Sequence, residues 1–466
     1  MNRTYNSVGL LSRLFFYTLV LSMLFVWAFS LSAAESPVEK TLSNGLKVIL
    51  LENHKAPLIT FQVWYRVGSR NEEWGKTGLS HMLEHMMFKG TEKIGPGQFS
   101  KIVEENGGDE NAFTSTDYTA YFENIGTDRI EVPIRLEADR MQGLLLREDE
   151  FKVERSVVME ERRLRTEDEA KALLREGVEA TAFQVQPYHW PVIGWMEDIE
   201  GFTLNDLRRH YDTFYRPSNA FIVVVGDFNK KTLFPLIEKA FGAIKGVPAP
   251  RQDRMREQLQ KGERRIVVKK EAQLGAITKA YHVQTIMDDD SYSLDLIQTL
   301  LSSGESSRLY RKLVQEQQLA LSVDTDNHSM SKDPNLFTIS ADIMPGKTAE
   351  EVETALTAEI ERLQQEPVGE RELEKAKNQI EASLMFMRDS LFNQAMILAE
   401  YEIVASWKDL DNYIPRIRKV SSQDVMAAAR KYLVPDNCTT GVLVPLPVKE
   451  GKDIDSGSSG GEHTIR

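Results

Sequence analysis

The sequence predicts an α+β protein of two homologous domains, each a mostly antiparallel sheet with helices packed on one face. Three observations predict it. Short alternating apolar runs are interleaved with longer stretches of helical periodicity. A set of residues recurs at one fixed offset of 218 positions. A Pro- and Gly-bearing segment that turns highly charged separates the two copies. The chain has 466 residues, too many for one ordinary core and enough for two or three domains of roughly 100–200 residues.

The N-terminus reads as a separate object. Arg3 and Arg13 precede an apolar run from Leu14 to Leu31, and Ser32-Ala33-Ala34 puts small residues at a cleavage position. That order is a secretory signal, expected at 1–34. The run of about 18 residues is also long enough to serve as an uncleaved anchor. A periplasmic or secreted location follows. Strands are expected at Leu46–Leu50, after the Ser43-Asn44-Gly45 turn, and at Ile59–Val67. Helices are expected at Thr77–Phe88, Phe99–Glu105, Arg129–Met141, Glu150–Glu169 and Thr203–Phe214, with a closing strand at Ala220–Val225. These make a first domain over 35–245. A linker at 246–265, a second domain over 266–448 and a loose Gly/Ser-rich tail over 449–466 complete the chain. The repeat supports the division: Thr203-x-x-Asp206 is matched by Ser421-x-x-Asp424, and Pro217-x-Asn219 by Pro435-x-Asn437. Each pair precedes a helix or a strand in its own half.

Without its first 34 residues the chain goes from a net charge of −13 to −15, since that segment carries two Arg and no acid. An acidic body argues against nucleic-acid binding, which needs clustered Lys and Arg to displace counterions from phosphates. Cys438 is the only cysteine, so an exported chain has no internal disulfide and must rely on large cores or a partner.

The chemistry lies in His81-Met82-Leu83-Glu84-His85. Thr77 is placed to cap this helix and Gly90 to end it. Leu79, Met82, Leu83, Met86 and Met87 form an apolar stripe, while His81, Glu84 and His85 project together from the adjacent face. Two imidazoles one turn apart can ligate a tetrahedral Zn²⁺, and the Glu between them can take a proton from an attacking water. A surface His pair with an incidental Glu would show the same letters; with eight His in the chain, composition alone yields the pattern in about one chain per hundred. A catalytic zinc usually has a third protein ligand. The helix 150–169 offers Glu154 and Glu161 two turns apart, and spacing alone does not choose between Glu160 and Glu161.

His81-x-x-Glu84-His85 followed by Met86-x-Phe88-Lys89-Gly90-Thr91 resembles the pitrilysin-type (inverted zincin) zinc metallopeptidases, in particular a bacterial two-domain group similar to the mitochondrial processing peptidase β subunit. The resemblance continues through Asn111-Ala112-Phe113-Thr114, Glu154-Arg155-x-Val157-Val158-x-Glu160-Glu161, Pro187-Tyr188 and Tyr215-x-Pro217-x-Asn219, across most of 40–445. It implies one Zn²⁺ per chain held by His81, His85 and Glu161, with Glu84 as general base and Glu154 orienting a ligand from behind. It implies that Asn111–Phe113 is an open edge strand pairing with a peptide or unfolded polypeptide substrate. Ala112 would then offer main-chain hydrogen bonds, Asn111 would contact the substrate and Phe113 would line an apolar subsite.

The second half departs from the pattern. Family members often carry an Arg and, seven residues on, a Tyr that clamp the substrate carbonyl. Val314 and Leu321 stand at those positions here, and neither can donate a hydrogen bond. Arg308 and Tyr310 are nearby but misplaced. The expected assembly is therefore a heterodimer with a chain that carries the Arg/Tyr pair, the four domains enclosing a chamber; a homodimer is the alternative. A non-catalytic scaffold or peptide-binding subunit is the rival function, which the full set of His81, Glu84, His85 and Glu161 opposes.

Overall fold

A computed structural model describes residues 36–251 and 256–447. The signal-like segment and the tail lie outside the described residues. The first sheet contains β1 (Val38–Thr41), β2 (Lys47–Glu52), β3 (Leu58–Tyr65), β4 (Asp109–Thr114), β5 (Thr119–Gly126) and β6 (Ala220–Gly226), in the order β1-β2-β6-β3-β5-β4. The second contains β7 (Arg264–Glu271), β8 (Ala276–Val283), β9 (Ala320–Asn327), β10 (Asn335–Ile343) and β11 (Cys438–Leu446), in the order β7-β11-β8-β10-β9. With β1 set aside, the two orders are one order. Each sheet has one parallel pair, β2 with β6 and β7 with β11, and is otherwise antiparallel. Between Phe241 and Arg264 the described residues form no helix or strand.

The helices of the first half are α1 (Leu79–Met86), α2 (Gln98–Glu105), α3 (Glu131–Gly143), α4 (Glu148–Arg162), α5 (Ala170–Ala182), α6 (Met196–Gly201), α7 (Leu204–Phe214) and α8 (Lys230–Phe241). Those of the second are α9 (Asp290–Ser302), α10 (Ala349–Gln365), α11 (Glu370–Met387), α12 (Leu391–Val404), α13 (Tyr413–Lys419) and α14 (Ser422–Tyr432). The repeated Thr203/Asp206 and Ser421/Asp424 pairs both close capping boxes, at the starts of α7 and α14. Both helices thus begin one residue after their cap, as the offset of 218 requires.

Each sheet packs its own helices on one face. In the first, Met82, Leu83 and Met86 of α1, Leu207 of α7 and Ile237 of α8 meet Phe61, Val63, Ile222 and Val224. The other face is covered by the opposite half. Ala395, Leu398 and Ala399 of α12 lie on Ile49, Trp64, Phe221 and Val223 of the first sheet. Leu174, Val178 and Ala182 of α5 lie on Ala276, Ala280, Leu336 and Leu443 of the second. The exchange explains why β6 reads as an unbroken apolar run, every residue of which is buried: a strand covered on both faces has no polar side to show.

Two details differ from the sequence reading. The helix expected to run on to Glu169 stops at Arg162, and a π-helical turn, Arg163–Glu167, redirects the chain into α5. Arg162 then pins the two helices by forking Glu176 at 3.0 and 3.1 Å. Thr77 does not cap α1. Its hydroxyl donates to Asp198 at 2.6 Å, and the Glu72 carboxylate accepts from the Gly78 and Ser80 amides at 2.7 Å each.

Candidate metal centre

α1 is fixed in rotation by its apolar stripe, buried at Leu79, Met82, Leu83 and Met86. That leaves His81 and His85 on the side facing α4. α4 is fixed in turn by Phe151 and Val158 in the core, which aims Glu154 and Glu161 at α1. His81 Nε2 and His85 Nε2 lie 3.6 and 3.3 Å from Glu161 Oε2. Ligands held at about 2.0–2.2 Å around a tetrahedral ion are spaced about 3.3–3.6 Å apart. Glu161 Oε2 is buried and accepts no hydrogen bond, so the three atoms converge on a point that protein donors leave free. The donor set therefore fits a divalent cation of the zinc type. Glu160, the neighbour left open by spacing, points away and pairs with Arg163 at 3.1 Å, its side chain 58 % exposed.

The charges around this point are ordered by their surroundings. Burial, aided by His85, drives His81 down to about 3, so its ring is neutral at any working pH. Burial opposes charge on His85 too, but the Glu154 and Glu161 carboxylates outweigh it and raise His85 to about 9. Burial of Glu161 is likewise outweighed by the two histidines, and it falls to about 2. Glu154 receives His85 Nδ1 at 2.8 Å and Lys89 Nζ at 2.6 Å, which directs His85 Nε2 at the convergence point. Glu84 is buried beside the histidines, and burial lifts its carboxyl to about 7 against a hydrogen bond from the Thr114 hydroxyl.

The expected substrate strand is β4, at the open edge of the first sheet. Ala112 is buried on the α1 side, while Phe113 contacts Trp64, Tyr118 and Phe122 on the other. Asn111 turns its side-chain oxygen onto the Ala112 amide at 2.8 Å. In the second half Val314 packs against the core and Leu321 is exposed at the start of β9, while Arg308 forks Glu372 at 2.7 and 2.8 Å. Sequence reasoning gave no role to Thr114, Lys89 or Arg165, which holds Glu161 Oε1 at 3.0 Å. Arg165 follows Glu161 by four residues, a helical spacing that could have found it; Thr114 and Lys89 pair across elements and leave no local signal.

Over 413 residues the chain is 36 % identical to the zinc protease PqqE of Helicobacter pylori, covering 87 % of this chain and 92 % of that one. The chain belongs to the M16 peptidase family. Within this M16 chain, residues 47–194 match the model described as insulinase (peptidase family M16), and 201–380 match that of the M16 inactive domain. A crystal structure of a protease from Helicobacter pylori superposes with a TM-score of 0.85 at 34 % identity, over 88 % of this chain and all of that one. The probable mitochondrial-processing peptidase subunit beta of Arabidopsis thaliana is 25 % identical over 89 % of this chain and 80 % of its own.

Proposed function

We propose that this M16 chain is a zinc-dependent endopeptidase acting on peptides or unfolded polypeptide segments. The approach of Glu161 Oε2 to His81 Nε2 and His85 Nε2 at 3.6 and 3.3 Å, all three atoms within 4.8 Å of one another and Glu84 beside them, carries the reading. Zinc held there would polarise the scissile carbonyl and lower the pKa of water towards about 7. Glu84 takes the proton of the attacking water and passes it to the leaving amine. Thr114 holds that carboxylate in place, and β4 offers its open edge to an extended peptide.

On this reading residues 35–245 are the metal half and 266–448 its metal-free counterpart, joined by 246–265. With Val314 and Leu321 where a carbonyl clamp would stand, this chain is the zinc subunit of a heterodimer whose partner supplies Arg and Tyr, the two chains closing a chamber. The names of the relatives and the exported-type N-terminus support zinc and a periplasmic or secreted site, respectively.

The test is cleavage of an unstructured peptide mixture by residues 35–466 beside Glu84→Gln, with bound zinc quantified. The wild type cuts and the variant, still holding zinc, loses roughly 10²–10⁴-fold. If both hold zinc and neither cuts, activity requires the partner. A folded wild type that binds no zinc overturns the reading in favour of a scaffold.

A further inference from the structure

A buried, charged junction ties the metal-free half to the β4–β5 end of the first sheet. Segment 68–71 lies along the turn between β4 and β5, where the Ser69 amide donates to Ser115 O at 3.2 Å and the Arg70 amide to Thr116 O at 3.0 Å. The approach is close enough to require glycine, because a β-carbon on Gly68 would stand 2.2 Å from Ser115 O. The Arg70 guanidinium then spans two carboxylates. One is Asp117 in that same turn, at 3.4 Å; the other is Asp333 in the turn between β9 and β10. Asp117 also accepts from the Tyr188 hydroxyl at 2.9 Å and from the Lys332 amide at 3.1 Å. The Asp333 amide donates to the Tyr188 hydroxyl oxygen at 3.3 Å. The Asp333 turn is itself braced, since Ser331 Oγ donates to His328 O and Asp333 O at 2.9 Å each.

The side chains of Arg70, Asp117 and Asp333 are 5 %, 4 % and 8 % exposed. Desolvating three charges is costly, and apolar packing would join two domains as firmly; what a buried ionic junction adds is one fixed geometry. The turn it fixes follows directly on β4, whose last residue is Thr114, the hydroxyl that holds Glu84. A base displaced by about 1 Å loses roughly 10²-fold in rate, so the turn must be held to a fraction of that.

We infer that Asp333 of the metal-free half, acting through Arg70 and Asp117, is a positioning residue that holds the β4–β5 turn and so sets Thr114 against Glu84. The inference rests on the reading of Glu84 as general base. It gives the half without a metal a task inside the reaction: its hairpin turn clamps the hairpin turn of the half with one.

The test compares Asp333→Asn, Arg70→Lys, Thr114→Val and the Asp333→Asn/Thr114→Val double variant in the full chain, by peptide cleavage, bound zinc and amide exchange. Arg70→Lys keeps the charge but cannot fork both carboxylates, so it is the gentler probe if Asp333→Asn folds poorly. In each lock variant zinc stays bound and kcat falls roughly ten- to a hundredfold with KM changed less than about twofold. Exchange rises across 109–118 and stays unchanged in α1. The double variant is no slower than Thr114→Val alone, because both changes break one line of contact. Losses that multiply, a loss carried by KM, or an unchanged exchange pattern at 109–118 each overturn the inference. If the wild type alone holds zinc and does not cut, activity requires the partner, and if it folds without zinc the peptidase reading falls; in either case amide exchange alone still decides whether Asp333 holds the turn.

Discussion

Glu154 meets His85 and Lys89 at once, and in the proposed zinc site that double contact would let it govern metal affinity without touching the metal. Glu154→Gln keeps the shape but loses the charge that directs the ring. Zinc affinity should fall about 10–100-fold, read by competition with a coloured chelator, while the rate at saturating zinc changes little; an unchanged affinity would make Glu154 a packing residue. His85 sets the pH dependence. Held near 9 in the metal-free site, it is protonated at neutral pH, so an entering metal must displace that proton. Below about pH 9 each unit of acidification should weaken zinc binding about tenfold. Calorimetry in two buffers of different ionisation heat should count at least one proton released per zinc at pH 7, the one from His85, with Glu84 and the bound water, both near 7, adding to it. His81, near 3, and Glu161, near 2, release none there. The spacings of His81, Glu84 and His85, and of Glu154 and Glu161, were legible because helical neighbours are set by local geometry. The choice of Glu161 over Glu160 needed the resemblance, and the Thr114–Glu84 contact needed the fold, since thirty residues and a sheet separate the two.

Local chemistry settles an element when it has no tertiary competitor. The Asp424 amide donates to Ser421 Oγ at 3.2 Å and the Ser421 amide to the Asp424 carboxylate at 2.8 Å on the solvent side of α14, so the capping box legible in the sequence forms as written. Ser421→Ala should cost about 0.5–2 kcal/mol and lower the melting temperature a few degrees, with zinc content intact. Thr77 looked like the same signal, but Asp198, far along the chain, takes its hydroxyl, and Glu72 caps α1 instead. The π-helical turn after α4 was hidden for a similar reason. Residues 160–169 are charged throughout but for Leu164 and Thr166, with no Gly or Pro to mark a break, and past the turn α5 lies on the second sheet. There α5 sits so close to β11 that a β-carbon on Gly441 would stand 2.4 Å from Val178 Cγ2 and 2.9 Å from Leu174 Cδ1. Gly441→Ala should therefore destabilise the chain by about 1–3 kcal/mol, and adding Val178→Ala should recover part of it. If thermal denaturation shows the double variant no better than the single one, the contact is not where the strain resides.

The repeat of 218 residues revealed that there are two units of one design, but not that each completes the other. A helix's sequence shows that it has an apolar face, not which sheet that face will cover. α5 and α12 carry such faces, and each lies on the sheet of the opposite half. Trp64, Phe221, Val223 and Val225 are thus buried only while the second half is present. Exposing several such side chains forfeits about 1.5–3 kcal/mol for each large one, comparable in sum to the whole stability of a domain, about 5–15 kcal/mol. The halves should accordingly melt together. Full-length metal-free protein is expected to unfold in one calorimetric transition whose van't Hoff and calorimetric enthalpies agree. Residues 35–245 produced alone should bind a hydrophobic dye and lack a sharp transition, and adding residues 246–448 should restore both sheets' protection from amide exchange. Two separate transitions in the intact chain, or a first half that folds cooperatively alone, would mean that the exchanged helices are accessories. The same dependence bears on catalysis. If the first half cannot keep its sheet without α12, nor its β4–β5 turn without Asp333, the second half is retained because the geometry of the proposed site is partly built from it.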